Sequence, residues 1–574
     1  MQRRIKDLES CQFDVVIVGG GIFGACAAWD ATQRGLTVAI LDRGDFASAT
    51  SFNSFKVLHG GIRYLQHLDL YRIRQSANAR RTFFRIAPHL THPLSFVVPT
   101  YGHGKKGKEL LRVAMSLYDL LTFDRNRGVR EPSHWIPWSY CLSRQEVLDR
   151  YPGLNPKGLT GAAVFHDGQM YNPPRLVLAF LHTAASHGAV VANYVEATKL
   201  VVHKNRVCGV EARDVLTGNR LTVRGKVVLN AAGPYAEDLL VRSVGCGLTP
   251  RSPWSRDAYF VVARPLVTGR AALALSSVTR DPEAVLSRGE RHLFLVPWHH
   301  YTLVGVWHKV YEGHPDHYHV TEEELQGFLR EINAAYPLLN LTLEDISWVN
   351  AGLVLFGENH PHAQHLKFAH RSRLVDHESE RGLEGCLTLI GVRYTTGPCE
   401  ATKAIDLVFK KLRYTPPPSL LHQTPLTGGD FEDFEALCAE AHAAWPAPVS
   451  PQSLQAMIHC VGTKYRDLVR LAAAYKDWAQ PIGATEVYKA QVIYAVREEM
   501  AQKLSDVVFR RTDLATATHP GLNVLRICAD LMGNELGWDY RRREEEIEEV
   551  RDRISVFLPP SSRATIATAE CLHD

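Results

Sequence analysis

The chain has 574 residues, 45% of them hydrophobic, and a formal net charge of +4 at pH 7. That length allows about two to four domains with substantial cores, and so small a net charge argues against a nucleic-acid binder. The 11 cysteines include no C-x-x-C pair, which favours reduced, buried thiols over a disulfide or zinc framework.

The N-terminal MQRRIKDLES is charged but has no apolar h-region, so no secretory signal is expected. No uncharged apolar run anywhere is long enough to span a bilayer, and the expected location is cytoplasmic. Residues 14–24, DVVIVGGGIFG, give a continuous β-branched run and then Gly19, Gly21 and Gly24 in the pattern G-x-G-x-x-G. A run of small residues with apolar spacing follows, as suits a helix packed closely on a sheet, and a second apolar strand ends at Asp42. Such a unit holds a dinucleotide. The glycines turn the chain and admit the pyrophosphate, the helix N-terminus offers free N–H groups, and Asp42 accepts from a ribose hydroxyl. The next segment, GDFASATSFNSFKVLHGGIRYLQH, is rich in small and hydroxyl residues. Thr50, Ser51, Lys56, His59, Gly60 and Gly61 within it are candidate cofactor contacts.

Farther on, KKGKELLRVAMSLYDLL sets lysines before an apolar helix face, which suits peripheral contact with a membrane surface. The strand and turn KVVLNAAG with Gly233, and later LTLIG with Gly391, Thr395 and Thr396, add two more strand-to-turn units. Thr395 or Thr396 is expected to cap a helix whose first turn takes Pro398. A nucleotide site assembled from the start, middle and end of one long region suits FAD, which needs more than one βαβ unit. The histidine-rich stretches HPDHYH (314–319) and HPHAQH (360–365) have no ligand partners at metal spacing beyond Asp316, so no metal is expected. Residues 415–430, rich in proline and glycine, read as a linker. Beyond them Val492, Val496, Met500, Leu504 and Val508 at four-residue steps predict one buried helix face, and Ile547, Val550 and Ile554 predict another.

The motifs VGGGIFGACAAWDATQRG, K-x-x-HGG-x-RYL, LNAAGPY, VPWHHYTLVG, DISWVNAG and EEMAQKLSDVVFRRTDLA together resemble the FAD-dependent, quinone-linked glycerol-3-phosphate dehydrogenases over nearly the whole length. The resemblance implies an α/β, Rossmann-like FAD-binding fold with an interleaved β-rich substrate lobe and an all-helical C-terminal domain. The expected division is 1–414 for FAD and substrate, 415–430 linker, 431–560 helical cap and 561–574 tail. It also implies hydride transfer from sn-glycerol 3-phosphate to flavin N5, with the electrons passing to quinone or another acceptor. Arg63 and Arg393 would hold the anionic polyol phosphate and Tyr64 would line the pocket. His59, Tyr259 and His308 are the candidates for the base.

The departures from the family pattern gather on the substrate side. Cys26 replaces a glycine, and Val354 stands where a strand arginine helps hold the phosphate. Arg393 replaces a lysine and the Tyr-Arg that normally follows the late motif is absent; Tyr259 replaces a histidine, and Val306, Trp307 and His308 replace Thr-Thr-Asp. They leave two alternatives open: a related flavoenzyme acting on another hydroxy or amino compound, and a flavin-binding protein without turnover.

Overall fold

The computed structural model describes residues 1–103, 108–248, 254–280, 290–355 and 371–560. The HPHAQH stretch, the expected tail and the first lysines of KKGKELLRVAMSLYDLL lie outside the described residues.

Two sheets build the first part of the chain. In the first, the parallel strands Cys386–Ile390, Arg220–Asn230, Gln12–Val18, Val38–Leu41 and Val190–Ala192 lie side by side in that order. Val15 pairs with both Val38 and Val227, and Leu229 with Leu387. These strands read as unbroken β-branched runs because helices cover them. The helix Ile22–Gln33 lies between the helices Gly397–Leu412 and Pro173–Ser186, and its buried Ala25, Cys26, Ala27 and Ala28 allow the close approach. Because these strands are parallel, their C-termini lie along one edge, where ligands of such sheets bind.

The second sheet is mixed. Its strands Ile346–Leu355, Trp254–Val262, Tyr301–Tyr311 and Glu290–Trp298 are antiparallel neighbours, followed by Ala272–Arg280, Thr91–Tyr101 and Leu159–Met170. Helices make up most of the chain from Phe434 onward, and the last one, Tyr540–Phe557, packs on the strand Ile346–Leu355. There Phe557 stacks on Trp348 with ring centroids 4.8 Å apart. Ile547, Val550 and Ile554 are buried on that helix, as their spacing predicts.

The other predicted helix face is broken. The helix Lys489–Glu499 stops at Met500, which takes a left-handed φ of 55°. A short turn, Leu504–Asp506, and a wide-turn segment, Val507–Arg511, follow. Leu504 and Val508 are buried, but on these later turns. The break has an electrostatic reason. Glu499 accepts from both Nη atoms of Arg175 at 2.6 and 2.7 Å, while Arg510 and Arg511 both reach Asp45. One straight helix would carry these charges away from their partners. Residues 415–430 form neither helix nor strand, yet they are fastened. Leu421 and Leu426 are buried, the Leu426 N–H donates to the Ile86 carbonyl at 2.7 Å, and that of Thr427 to Thr183 Oγ1 at 2.9 Å.

Candidate active site

At the C-terminal edge of the first sheet the glycine loop is forced by geometry. Gly19 has φ of +106°, and a Cβ there would lie 2.6 Å from the Ala231 carbonyl oxygen. A Cβ on Gly24 would lie 1.9 Å from the carbonyl oxygen of Gly19, so helix and loop meet only through glycine. Gly21 caps the helix Ile22–Gln33 without a side chain, and the Ile22 N–H donates to Ser51 Oγ at 3.1 Å. Asp42 braces the loop. Its two carboxylate oxygens accept from the N–H groups of Gly20 at 2.7 Å and Gly44 at 2.9 Å, which holds the loop in shape. Burial pushes the Asp42 carboxyl up to about 6.

The loop opens into a cavity of about 1350 Å³ that runs between the two sheets. Its walls include Gly19, Gly21, Asp42, Thr50, Ser51, His59, Gly61, Gly233, Gly391 and Thr395, and they also include Arg63, Tyr64, Tyr259, His308, Val354 and Arg393. The structure thus brings most of the sequence-predicted residues together around one space. The volume exceeds the roughly 300–1,000 Å³ of an ordinary small-ligand site, so a dinucleotide and a small substrate fit together. Arg553 and Phe557 of the last helix and Leu558 just after it also line the cavity.

Four of the predicted cofactor contacts act from outside that lining. Gly24 acts through packing. Gly60 donates its N–H to Asp167 Oδ1 at 2.6 Å, and a Cβ there would meet Arg80 Nη1 at 2.2 Å. Thr396 occupies the cap position of the helix Gly397–Leu412, but its hydroxyl donates back to the Arg393 carbonyl at 3.1 Å and caps nothing. Thr395 does not cap either; its Oγ1 accepts from the His59 N–H at 3.1 Å and so ties the two cofactor segments together. Lys56 is buried behind the wall, donating from Nζ to the Tyr259 hydroxyl at 2.6 Å and lying 4.6 Å from the Trp298 ring. Burial holds its ammonium down at about 7. Thr50 reaches across to the second sheet, donating to the Leu353 carbonyl at 3.0 Å.

The three candidate bases differ in their surroundings. The Tyr259 hydroxyl accepts from Lys56 and donates to the Ser54 carbonyl at 2.9 Å, and burial raises its pKa. His308 Nδ1 is 2.8 Å from Asp257 Oδ1. The side chain of His59 is half exposed, and its Nδ1 lies 3.5 Å from Asp167 Oδ2. Asp167 is buried on the strand Leu159–Met170 and also accepts from Arg80 Nη1 at 2.7 Å. Asp167 and Arg80 were not among the residues singled out in the sequence. The polar HDGQ inside an otherwise apolar strand was the available signal.

Arg63, Arg72 and Arg393 all line this cavity. The guanidinium carbons of Arg393 and Arg72 lie 4.6 and 4.8 Å from the centroid of the Tyr64 ring. Burial, with Arg72 and Arg63 nearby, holds the Arg393 guanidinium below its ordinary value.

These features match comparisons with known proteins. Residues 14–383 match the model for the family described as FAD dependent oxidoreductase, and residues 420–543 match the C-terminal domain of alpha-glycerophosphate oxidase. The chain belongs to the FAD dependent oxidoreductase family. Its cofactor is FAD, and the forced glycine loop, the helix that begins at Gly21 with no side chain at its cap position, and the size of the cavity all fit that group.

Among curated proteins, the chain is 28% identical to a glycerol-3-phosphate dehydrogenase of Synechocystis over 96% of this chain and 98% of that one. It is 30% identical to the mitochondrial glycerol-3-phosphate dehydrogenase of Bos taurus, covering 97% of this chain and 75% of that one. Among solved structures, the glycerol-3-phosphate dehydrogenase of Bacillus halodurans complexed with FAD superposes with a TM-score of 0.73 at 21% identity and covers 97% of each chain. That likeness establishes the shared fold.

Proposed function

We propose that this FAD-dependent oxidoreductase converts sn-glycerol 3-phosphate to dihydroxyacetone phosphate. One observation carries the reading: a single stretch of cavity wall joins an arginine-lined end to a histidine backed by a buried carboxylate. The names of the cyanobacterial and bovine relatives support it. FAD bound in the cradle supplies the two-electron acceptor. Arg63 and Arg393 hold the phosphate by charge-assisted hydrogen bonds and so fix the position of the secondary alcohol. His59 takes the hydroxyl proton while the same carbon gives up its hydrogen as hydride, so the alcohol loses two electrons and two hydrogens and becomes a ketone. Asp167, 3.5 Å from the imidazole Nδ1, orients the ring. Tyr64 lines the site, and Tyr259, engaged with Lys56 and Ser54, shapes the wall rather than moving a proton.

Electrons leave to a lipophilic quinone at a membrane surface. The helix Lys108–Leu121 supports this reading, since Leu110, Val113, Leu117 and Leu120 are exposed on it and Phe123 beyond it. Leu110 and Leu111 also line the cavity, so this apolar face is continuous with the redox site. Among the described residues no helix is long and apolar enough to cross a membrane, and surface contact is the mode proposed.

Anaerobic addition of sn-glycerol 3-phosphate should bleach the flavin absorbance, while glycerol should not. Flavin that dithionite reduces and glycerol 3-phosphate leaves yellow would overturn the substrate assignment. It would favour the alternatives that the changes at Val354 and Tyr259 leave open. Sedimentation with anionic phospholipid vesicles should be lost in Val113→Glu; equal pelleting of both proteins would reject the membrane face.

A further inference from the structure

The family pattern carries a strand arginine for the substrate phosphate, and this chain has Val354 there, a side chain with no donor to offer. Val354 lines the cavity, and so does Arg72. We propose that Arg72 is a phosphate-binding residue of this protein and does the work of the arginine absent at Val354. The inference rests on the glycerol 3-phosphate reading and specifies how the dianion is held.

Arg72 sits in the first turn of the helix Leu70–Ile86, and Asp69 caps that helix. The Asp69 carboxylate accepts the Arg72 N–H at 2.9 Å and its Nε at 2.5 Å. This contact occupies one edge of the guanidinium and locks the stem. Of the five N–H donors a guanidinium carries, the four on its Nη atoms are outside that contact. The side chain is 12% exposed and lies over the Tyr64 ring, which the Arg393 guanidinium also approaches. Tyr64 therefore spaces two guanidiniums beside one cavity end, and Arg63 precedes it in the chain.

Asp69 pairs with one edge of Arg72, and the three arginines Arg63, Arg72 and Arg393 still line one cavity, a setting that attracts an anion. Burial chiefly depresses the Arg393 guanidinium, and Arg72 and Arg63 add to it. The chemistry selected is a doubly charged, tetrahedral oxyanion able to accept from several planar forks at once. A neutral polyol gains nothing there.

The test uses the FAD-loaded protein, wild type and Arg72→Met, with two readouts. Calorimetric titration with inorganic phosphate reads the anion site alone, and steady-state kinetics with sn-glycerol 3-phosphate reads substrate. One charge-assisted hydrogen bond corresponds to about ten- to a hundred-and-fifty-fold in affinity. Arg72→Met should weaken phosphate binding and raise KM by a factor in that range, with flavin content and melting temperature kept and kcat changed far less than KM. Phosphate affinity and KM within twofold of wild type would overturn the proposal. If Arg72→Met does not fold, Arg72→Gln is read by the same titration, with weakened phosphate binding supporting the assignment and wild-type affinity refuting it. A wild type that binds phosphate through Arg72 but is not bleached by glycerol 3-phosphate would reject the substrate and keep the anion site. Bleaching in both wild type and variant, with equal KM, would reject Arg72 alone.

Discussion

Asp45 offers a direct test of how the helical region supports the cofactor loop. It is fully buried, two residues past the Arg43 that follows Asp42, and accepts from Arg510 Nε at 2.5 Å, Arg511 Nη2 at 2.8 Å and Asn193 Nδ2 at 3.0 Å. The Ala47 N–H, two residues on, donates to the Gly20 carbonyl at 3.1 Å, so the clamp reaches the glycine loop itself. Replacing Asp45 by alanine leaves Arg510 with Asp506 at 2.7 Å but leaves Arg511, itself fully buried, without a carboxylate. Removing one member of a buried ion pair costs about 3–5 kcal/mol. With an unfolding entropy of about 2.1 cal/mol/K per residue, a unit of 574 residues loses only about 3 °C of melting temperature for 4 kcal/mol. The sharper readout is FAD. Because the clamp shapes the loop, the variant should release the flavin at lower denaturant than wild type. Asp45→Ala/Arg511→Met should cost less than the two single changes added together, since it removes the orphaned charge along with its partner. A single variant with wild-type melting and wild-type flavin affinity, or strictly additive costs, would refute the clamp. The pH dependence has a defined sign. The arginines hold the Asp45 carboxyl well below its ordinary value. Its stabilisation is therefore present above about pH 4 and disappears as pH falls below that.

Three further outcomes are expected. Gly24→Ala, whose new methyl would sit 1.9 Å from the Gly19 carbonyl oxygen, should yield protein with almost no bound flavin, and a yellow preparation of normal stoichiometry would contradict the forced loop. His59→Asn should slow flavin reduction by sn-glycerol 3-phosphate about 10²–10⁴-fold, the usual contribution of a general base, with FAD retained; a rate within a few fold of wild type would remove His59 from the chemistry. Burial holds His92 and His182 at about 4 and His459 at about 3, so these rings stay neutral in the fold while the unfolded chain protonates them near pH 6.5. Stability should thus be level from these groups above pH 7 and fall by about 1.4 kcal/mol per histidine per unit between pH 6 and 4; urea midpoints that do not move between pH 7 and 5 would refute this.

Legibility followed the range of the interactions. The glycine loop, its strand and its helix are contiguous in sequence, and although Gly19 is constrained by Ala231 and Val15 pairs with Val38 and Val227, the motif that meets those constraints lies within one short stretch, so spacing alone reveals it. Ile547, Val550 and Ile554 were equally plain because one helix face carries all three. The run from Val492 to Val508 had the same spacing and misled, since its apolar steps continue through a break set by Arg175 and Asp45, more than three hundred residues earlier. Asp167 was hidden for a similar reason. Its partners His59 and Arg80 come from other segments, and a lone carboxylate in a strand has no periodic signature. Arg72 was one basic residue in the stretch DLYRIRQSANARR, and nothing local separated a cavity wall from a solvated face.

The departures from the family pattern also fall into place once the strands are paired. Tyr259 lies opposite both Gly305 and Asn350, Asp257 opposite His308, and Ser255 opposite Val354. Tyr259, Val306, His308 and Val354 therefore belong to three adjacent strands of the second sheet and line the cavity, while Trp307 points away to Phe328, with ring centroids 4.6 Å apart. Arg63, Tyr64 and Arg72 come instead from the helical segment after His59, and Arg393 from the edge of the first sheet, beside the cofactor loop. An anion held by that second group does not depend on the strand face at all. A valine at position 354 is then compatible with the proposed phosphorylated substrate, because Arg63, Arg72 and Arg393 line the same cavity as His59 and the glycine loop.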